Sequence, residues 1–211
     1  MLVHKLCQSL CPEKIPVTVT NKLGDGADGE VFEYSEDLNK VIKFCILYET
    51  GNKTLKHNYK YINNVLSYLI EHPVSTYARV YAHECMGEWA RDVAWKNTTQ
   101  KYLIYYYLMD KLYKTSEDEK KIFHSILSHE DRGIKKNFSN EKIKEMLRGM
   151  SSGLDFDEDK VIFFVDNFKK SPVIHLDVHV RNIMKDSNGN FKMIDFDRAE
   201  LRMENDNVEN A

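Results

Sequence analysis

Nowhere does this chain run through the roughly 18 uninterrupted apolar residues that would suggest a membrane span. Its first residues, MLVHKLCQSLCPEKIP, lack a sustained apolar core and a small-residue cleavage site, so no signal peptide is expected. Cysteine is scarce. Cys7, Cys11, Cys45 and Cys85 are too scattered for a disulfide framework, and no second Cys/His pair stands at metal-ligand spacing from Cys7 and Cys11. Free thiols in a reducing compartment follow, and the expected location is the cytoplasm. Excess charge is also missing. A formal net charge of −3 and a pI near 6.2 give no electrostatic ground for a nucleic-acid partner or an anionic membrane surface. What remains is ordinary for a folded protein: 42% hydrophobic and 30% charged residues in a chain of 211.

Residues 17–23 (VTVTNKL) alternate as a strand does, the glycine cluster Gly24–Gly29 interrupts them, and 30–35 and 40–47 resume strand character. From Lys53 to His72 the period changes. Leu55, Tyr59, Ile62, Leu66 and Leu69 recur every three or four residues, and Pro73 closes the predicted helix. Residues 79–85 and 101–110 read as two further strands, with 86–100 between them holding Trp89 and Trp95. The run Tyr105-Tyr106-Tyr107 is expected to alternate buried faces rather than stack bases. The second half is largely helical, with segments near 117–129, 139–150 and 157–170, the last capped by Asp155 or Asp157. Lys120, Lys121, Lys135 and Lys136 read as solvated charges. Asn188-Gly189 between apolar runs predicts a hairpin, and the acidic tail after Leu201 is expected to fray.

Three patterns carry chemistry. The first is Gly24-Asp25-Gly26-Ala27-Asp28-Gly29-Glu30-Val31, a G-x-G-x-x-G-x-V match in which backbone without Cβ atoms can close over phosphates. A dinucleotide fold would open a helix after the third glycine; a strand follows here instead. The second is Lys43 on the strand after that one, 40–47, between Ile42 and Phe44, where an ammonium can hold nucleotide phosphates. The third and most specific is His175-Leu176-Asp177-Val178-His179-Val180-Arg181-Asn182, an H-x-D-x-x-x-x-N run, followed across the predicted hairpin by Ile194-Asp195-Phe196-Asp197. Asp177 suits a base that orients a hydroxyl, and Asn182 and Asp195 are oxygen donors suited to Mg²⁺.

From about residue 17 to 200 the set resembles the protein-kinase-like superfamily. The resemblance implies a bilobal α+β fold: a five-stranded antiparallel N-lobe sheet with one helix over 1–110, and a reduced helical C-lobe over 111–211. It implies ATP and Mg²⁺ as cofactors, with Gly24, Gly26, Gly29, Val31 and Lys43 on the nucleotide. Met109 would be the gatekeeper, and Asp110-Lys111-Leu112 the hinge receiving adenine. Asp177, Lys43 and His179 would be catalytic, and Asn182 and Asp195 would hold metal. H-x-D-x-H-x-x-N is similar to aminoglycoside and choline kinases, and I-D-F-D-R resembles the lipopolysaccharide (Kdo) kinases. Three departures stand out: Asp197 replaces the glycine of D-F-G, the predicted helix offers Lys43 no glutamate except Glu49 before it or Glu71 at its end, and no activation segment is expected after Asp197. A partner or self-association would compensate for the reduced C-lobe. The implied activity is phosphoryl transfer to a hydroxyl acceptor, a protein serine or threonine ahead of a small-molecule or sugar hydroxyl. A weakly catalytic pseudokinase that binds a partner, and transfer of AMP by the same cleft, are the alternatives.

Overall fold

In the computed structural model the described residues are 19–25, 29–49, 54–93, 98–128, 133–134, 139–150 and 153–202. Gly26, Trp95, Lys135, Lys136, Cys7, Cys11 and the tail beyond Arg202 lie outside them. The chain divides into two compact units: Met1–His72 with Arg79–Lys111, and Pro73–Ala78 with Leu112–Ala211.

The first unit is a five-stranded antiparallel sheet in the order β1-β2-β3-β5-β4, built from β1 (Val19–Asp25), β2 (Gly29–Tyr34), β3 (Lys40–Tyr48), β4 (Val80–Val93) and β5 (Thr98–Asp110). Alternation along β2, β3 and β5 sends Phe32, Ile42, Phe44, Ile46, Tyr102, Ile104 and Tyr106 to one face. There they bury one another together with Met86. Phe44 holds the centre of this cluster, edge-on to Phe32 at 6.0 Å and tilted against Tyr106 at 5.9 Å.

The opposite face is covered by helix α1 (Leu55–Glu71). Thr54 caps it by accepting from the His57 amide, and Leu55, Ile62, Val65, Leu66 and Leu69 form its buried stripe. Tyr59 packs on Tyr105 with ring centroids 5.3 Å apart. Both faces of β5 are therefore covered, and all three of Tyr105, Tyr106 and Tyr107 are buried.

One expectation is corrected here. Residues 86–100 are no connection between strands: β4 and β5 extend through the described part of that stretch as a long hairpin, with Trp89 stacked on Tyr102 at 6.3 Å. The pattern was hidden because register shifts at Val80/Ala82 and Cys85/Gly87 each change the phase of alternation, the second at Gly87 with φ +131°.

In the second unit, α2 (Glu117–Ile126) begins at a full capping box, Ser116 with Glu119. It stops short of the expected end because Leu127 turns extended into β7 (Leu127–Ser128), which pairs with β8 (Gly133–Ile134). Two helices follow, α3 (Asn140–Met150) and α4 (Glu158–Lys170), the latter capped by Asp157. Phe123, Phe164 and Phe191 meet edge-on at 4.8–6.2 Å to make the core.

Around this core run short strands: β6 (Tyr113–Lys114), β9 (Val173–His175), β10 (Ile183–Lys185), β11 (Phe191–Met193) and β12 (Ala199–Leu201). The Asn-Gly hairpin joins β10 to β11, with Gly189 at φ +77°. The segment 73–78 is stitched to β11 by Ala78 N–H to Met193 O and Met193 N–H to Thr76 O. Tyr77 stacks on Phe168 and donates its hydroxyl to the Val173 carbonyl.

His83 on β4 is half-buried with Nε2 3.0 Å from the Ser67 hydroxyl, and burial pushes its pKa below 6.5. Above about pH 6.5 the folded and unfolded chains both carry it neutral. Below that, the unfolded chain takes up a proton that the folded chain resists, so stability falls with acid. Urea midpoints recorded from pH 7 to 5.5 are expected to decline, and His83→Gln to remove part of that decline.

Candidate active site

The glycine loop begins on β1 and ends on β2, where Asp25 pairs with Glu30. Lys22 braces the turn, 2.8 Å from the buried Glu30 carboxylate and 3.3 Å from Asp25. The two described glycines of the loop differ. A Cβ at Gly24 would meet nothing within 4 Å, whereas one at Gly29 would stand 2.5 Å from the Phe44 carbonyl oxygen and 3.3 Å from Lys43 Cε. Gly29 is thus required by the close approach of β3, which presses Lys43 against the loop.

Register then sets a row across one sheet face: Val31 opposite Lys43, Lys43 opposite Tyr107, Tyr107 opposite His83. The Lys43 ammonium lies 5.7 Å from the Tyr107 ring centroid, within cation–π range. Two residues toward the strand end, Val41 pairs with Met109, and Lys40 with Asp110.

The expected hinge begins here. Asp110 N–H donates to Arg79 O and Lys111 N–H to Asn39 O, while the Asp110 carboxylate accepts from Tyr81. Leu112 belongs to the second unit and is half-buried.

Neither glutamate considered for Lys43 is well placed. Glu49 is six positions along β3 and beyond its end, about 20 Å at strand rise. Glu71 is 72% exposed beside His72. From α1 it is Ser67 that reaches the row, through His83.

In the second unit the H-x-D-x-x-x-x-N residues begin at the end of β9, which pairs with β12 (His175 opposite Ala199). His175 is buried. Its Nδ1 accepts from the Asp177 amide at 3.2 Å, so the proton sits on Nε2 and is donated to the Ile194 carbonyl at 2.9 Å. Burial pushes its pKa down, with the Ile194 carbonyl and the Asp195 charge pulling the other way; the ring is a neutral strut.

Asn182 is also buried and donates its Nδ2 to the Asp177 carbonyl at 3.0 Å, which leaves Oδ1 as an oxygen donor. Ile194 N–H bonds to Asn182 O, and Leu176 N–H to Arg198 O. The structure thus brings Asp177, His179 and Asn182 together directly, and ties Asp195 to them through Ile194 and His175.

Asp177 itself stays half-exposed, with one carboxylate oxygen 3.5 Å from His179 Nε2. His179 Nδ1 accepts from the Arg181 amide. In its neutral form the ring therefore presents Nε2–H to Asp177. Asp195 adopts φ 70°, ψ 75°, the one positive-φ non-glycine among the described residues. Such a conformation costs of order 1–3 kcal/mol and collects at functional sites.

A cleft of about 570 Å³ opens beside Asp177, lined also by His179, Arg181, Arg198 and the buried Leu127 and Val178. Sequence reasoning assigned neither Arg181 nor Arg198 a role of its own. They stood there only as members of the H-x-D-x-x-x-x-N and I-D-F-D-R runs.

No family model matches the chain, and no curated protein matches it. Among solved structures it is similar to WbdD with the kinase inhibitor LY294002 (17% identity, TM-score 0.39) and to WbdD in a 2.2 Å crystal structure (17% identity, TM-score 0.40). Each match covers 87% of this chain, which spans about a third (33%) of the other.

Two substitutions check the local geometry. Gly29→Ala is expected to cost about 1–3 kcal/mol in denaturant unfolding, because backbone rather than a flexible side chain blocks the new Cβ. Asp195→Gly, which suits the left-handed backbone, is expected to leave stability unchanged or raised, whereas Asp195→Val lowers it by about 1–2 kcal/mol.

Proposed function

We infer that this chain is a small phosphotransferase of the protein-kinase-like type, moving the γ-phosphoryl group of ATP to a hydroxyl acceptor. The observation that carries the reading is the anchoring of Asn182 on the Asp177 carbonyl, with Asp195 held left-handed one residue past the Ile194–Asn182 bond. Phosphoryl transfer needs positioning and charge neutralisation more than covalent help, and this arrangement serves both.

The donor set fits magnesium, a hard ion that keeps water and phosphate oxygens among its ligands. Asn182 Oδ1 and the Asp195 carboxylate would hold it. Among the described residues no group of three or more His, Cys, Asp or Glu side chains could hold a metal unaided. Further ligands would come from water and the triphosphate, whose charge the ion would help neutralise.

On the first unit, Lys43 would take the α- and β-phosphates, with Gly29 and Val31 closing over them. Met109 and Asp110–Leu112 would meet the base. Asp177 would orient the acceptor hydroxyl and take its proton as the oxygen attacks phosphorus and the bond to ADP breaks; ADP leaves with the electron pair. His179 would hold the Asp177 carboxylate in place.

Of the acceptor classes considered from the sequence, the 570 Å³ cleft favours a small molecule over a protein serine or threonine, since it has the size of a small-ligand site. Nucleic acid is not an expected partner. Among the described residues no helix is long and apolar enough to cross a membrane.

Asp177→Asn is expected to lower transfer by about 10²–10⁴-fold while preserving the thermal shift caused by Mg-ATP. Asp195→Asn is expected to abolish the shift. Labelled-ATP transfer and intact mass read the first effect, and thermal unfolding with and without Mg-ATP reads the second. An Asp177→Asn protein as active as wild type would overturn the reading, and a shift without transfer in wild type would make the chain a nucleotide-binding pseudokinase.

A further inference from the structure

The geometry points to an anion subsite beside Asp177: Arg181 and Arg198 grip a carboxylate or phosphate borne by the same small molecule that presents its hydroxyl. The acceptor's role rests on the phosphotransferase reading; the binding site does not. Among the described residues lining the cleft, Asp177 is the single acid, against two guanidiniums and the rings of His124 and His179. The chain as a whole carries net negative charge, so composition does not explain this local excess.

Guanidinium stays charged at any working pH and matches carboxylate or phosphate with two parallel N–H donors. Lysine would supply only a point charge. Both arginines are borne on backbone clamped to the loop that carries Asp177. The Arg181 amide donates to His179 Nδ1, and the Arg198 carbonyl accepts from Leu176 N–H at 2.7 Å. Their Cα positions are therefore fixed relative to the carboxylate before any ligand arrives. Leu127 and Val178 give the cleft an apolar wall that excludes water from one side of the ligand and strengthens the ionic contact.

The probes are inorganic phosphate, glucose 6-phosphate, glucuronate and glucose, titrated calorimetrically into the full chain. At least one charged sugar is expected to bind about tenfold or more tightly than glucose. Phosphate against carboxylate preference is read from the two charged sugars. Arg181→Gln and Arg198→Gln should each weaken the charged probe about tenfold and leave glucose unchanged, with Arg→Lys variants intermediate.

Unfolding midpoints equal to wild type will show that the variants fold. Equal binding of charged and neutral sugars, or arginine variants indistinguishable from wild type, would overturn the subsite. Adding Mg-ATP separates the two readings. Tight binding of a charged probe with no transfer to any probe upholds the subsite and sinks the phosphotransferase. Transfer to glucose as fast as to charged sugars, indifferent to both arginines, does the reverse.

Discussion

A polar loop that interrupts a buried apolar run must find a partner for each group it takes out of water, and this constraint shapes the second unit. His175 and Asn182 meet it by bonding to main chain rather than to other side chains: imidazole to the Ile194 carbonyl and Asp177 amide, carboxamide to the Asp177 carbonyl. An unpaired buried amide or ring nitrogen would cost about 1–3 kcal/mol, so each bond is expensive to omit. The result is a division of labour. Buried members of the run fix the backbone, and Asp177, free of that duty, keeps its carboxylate half in solvent where it can meet a ligand.

That division explains what the sequence disclosed. The spacing of His175, Asp177 and Asn182 was readable because each type answers a local demand, and the Asn-Gly hairpin because turn chemistry is local. The antiparallel sheet with one helix was also legible, since β2, β3 and α1 keep their periods for a full element. What stayed hidden depends on distant pairing. β9 and β12 are three residues each, too short to show a period of two, and exist because each satisfies the other. The left-handed turn at Asp195 has no sequence mark, because aspartate tolerates that region only when neighbours over-determine it.

The first unit answers a different demand. A lysine on a sheet face covered by a helix needs a polar or polarisable surface for its ammonium. The expected carboxylate does not come from the body of α1. The face of Tyr107 lies within cation–π distance, and the next position along the register row is His83, held by Ser67. Gly29 completes the setting from the other side, since any side chain there would displace the β3 backbone that carries Lys43. The row therefore packs Lys43 between neighbours on β2 and β5.

Clamping has a consequence for recognition. Asp177 and Arg181 lie on one loop whose intervening backbone is held by the His179–Arg181 and His179–Asn182 bonds. The separation of their Cα atoms is therefore set before a ligand arrives. A molecule gripped at its anionic group by Arg181 would then have its hydroxyl placed relative to Asp177 by its own length, within the range the arginine side chain can reach. Orientation of this kind converts binding energy into rate, because the freedom the reactants would otherwise lose is already spent on docking. Selectivity and catalysis would then share a single rigid element: loosening the loop would degrade both at once.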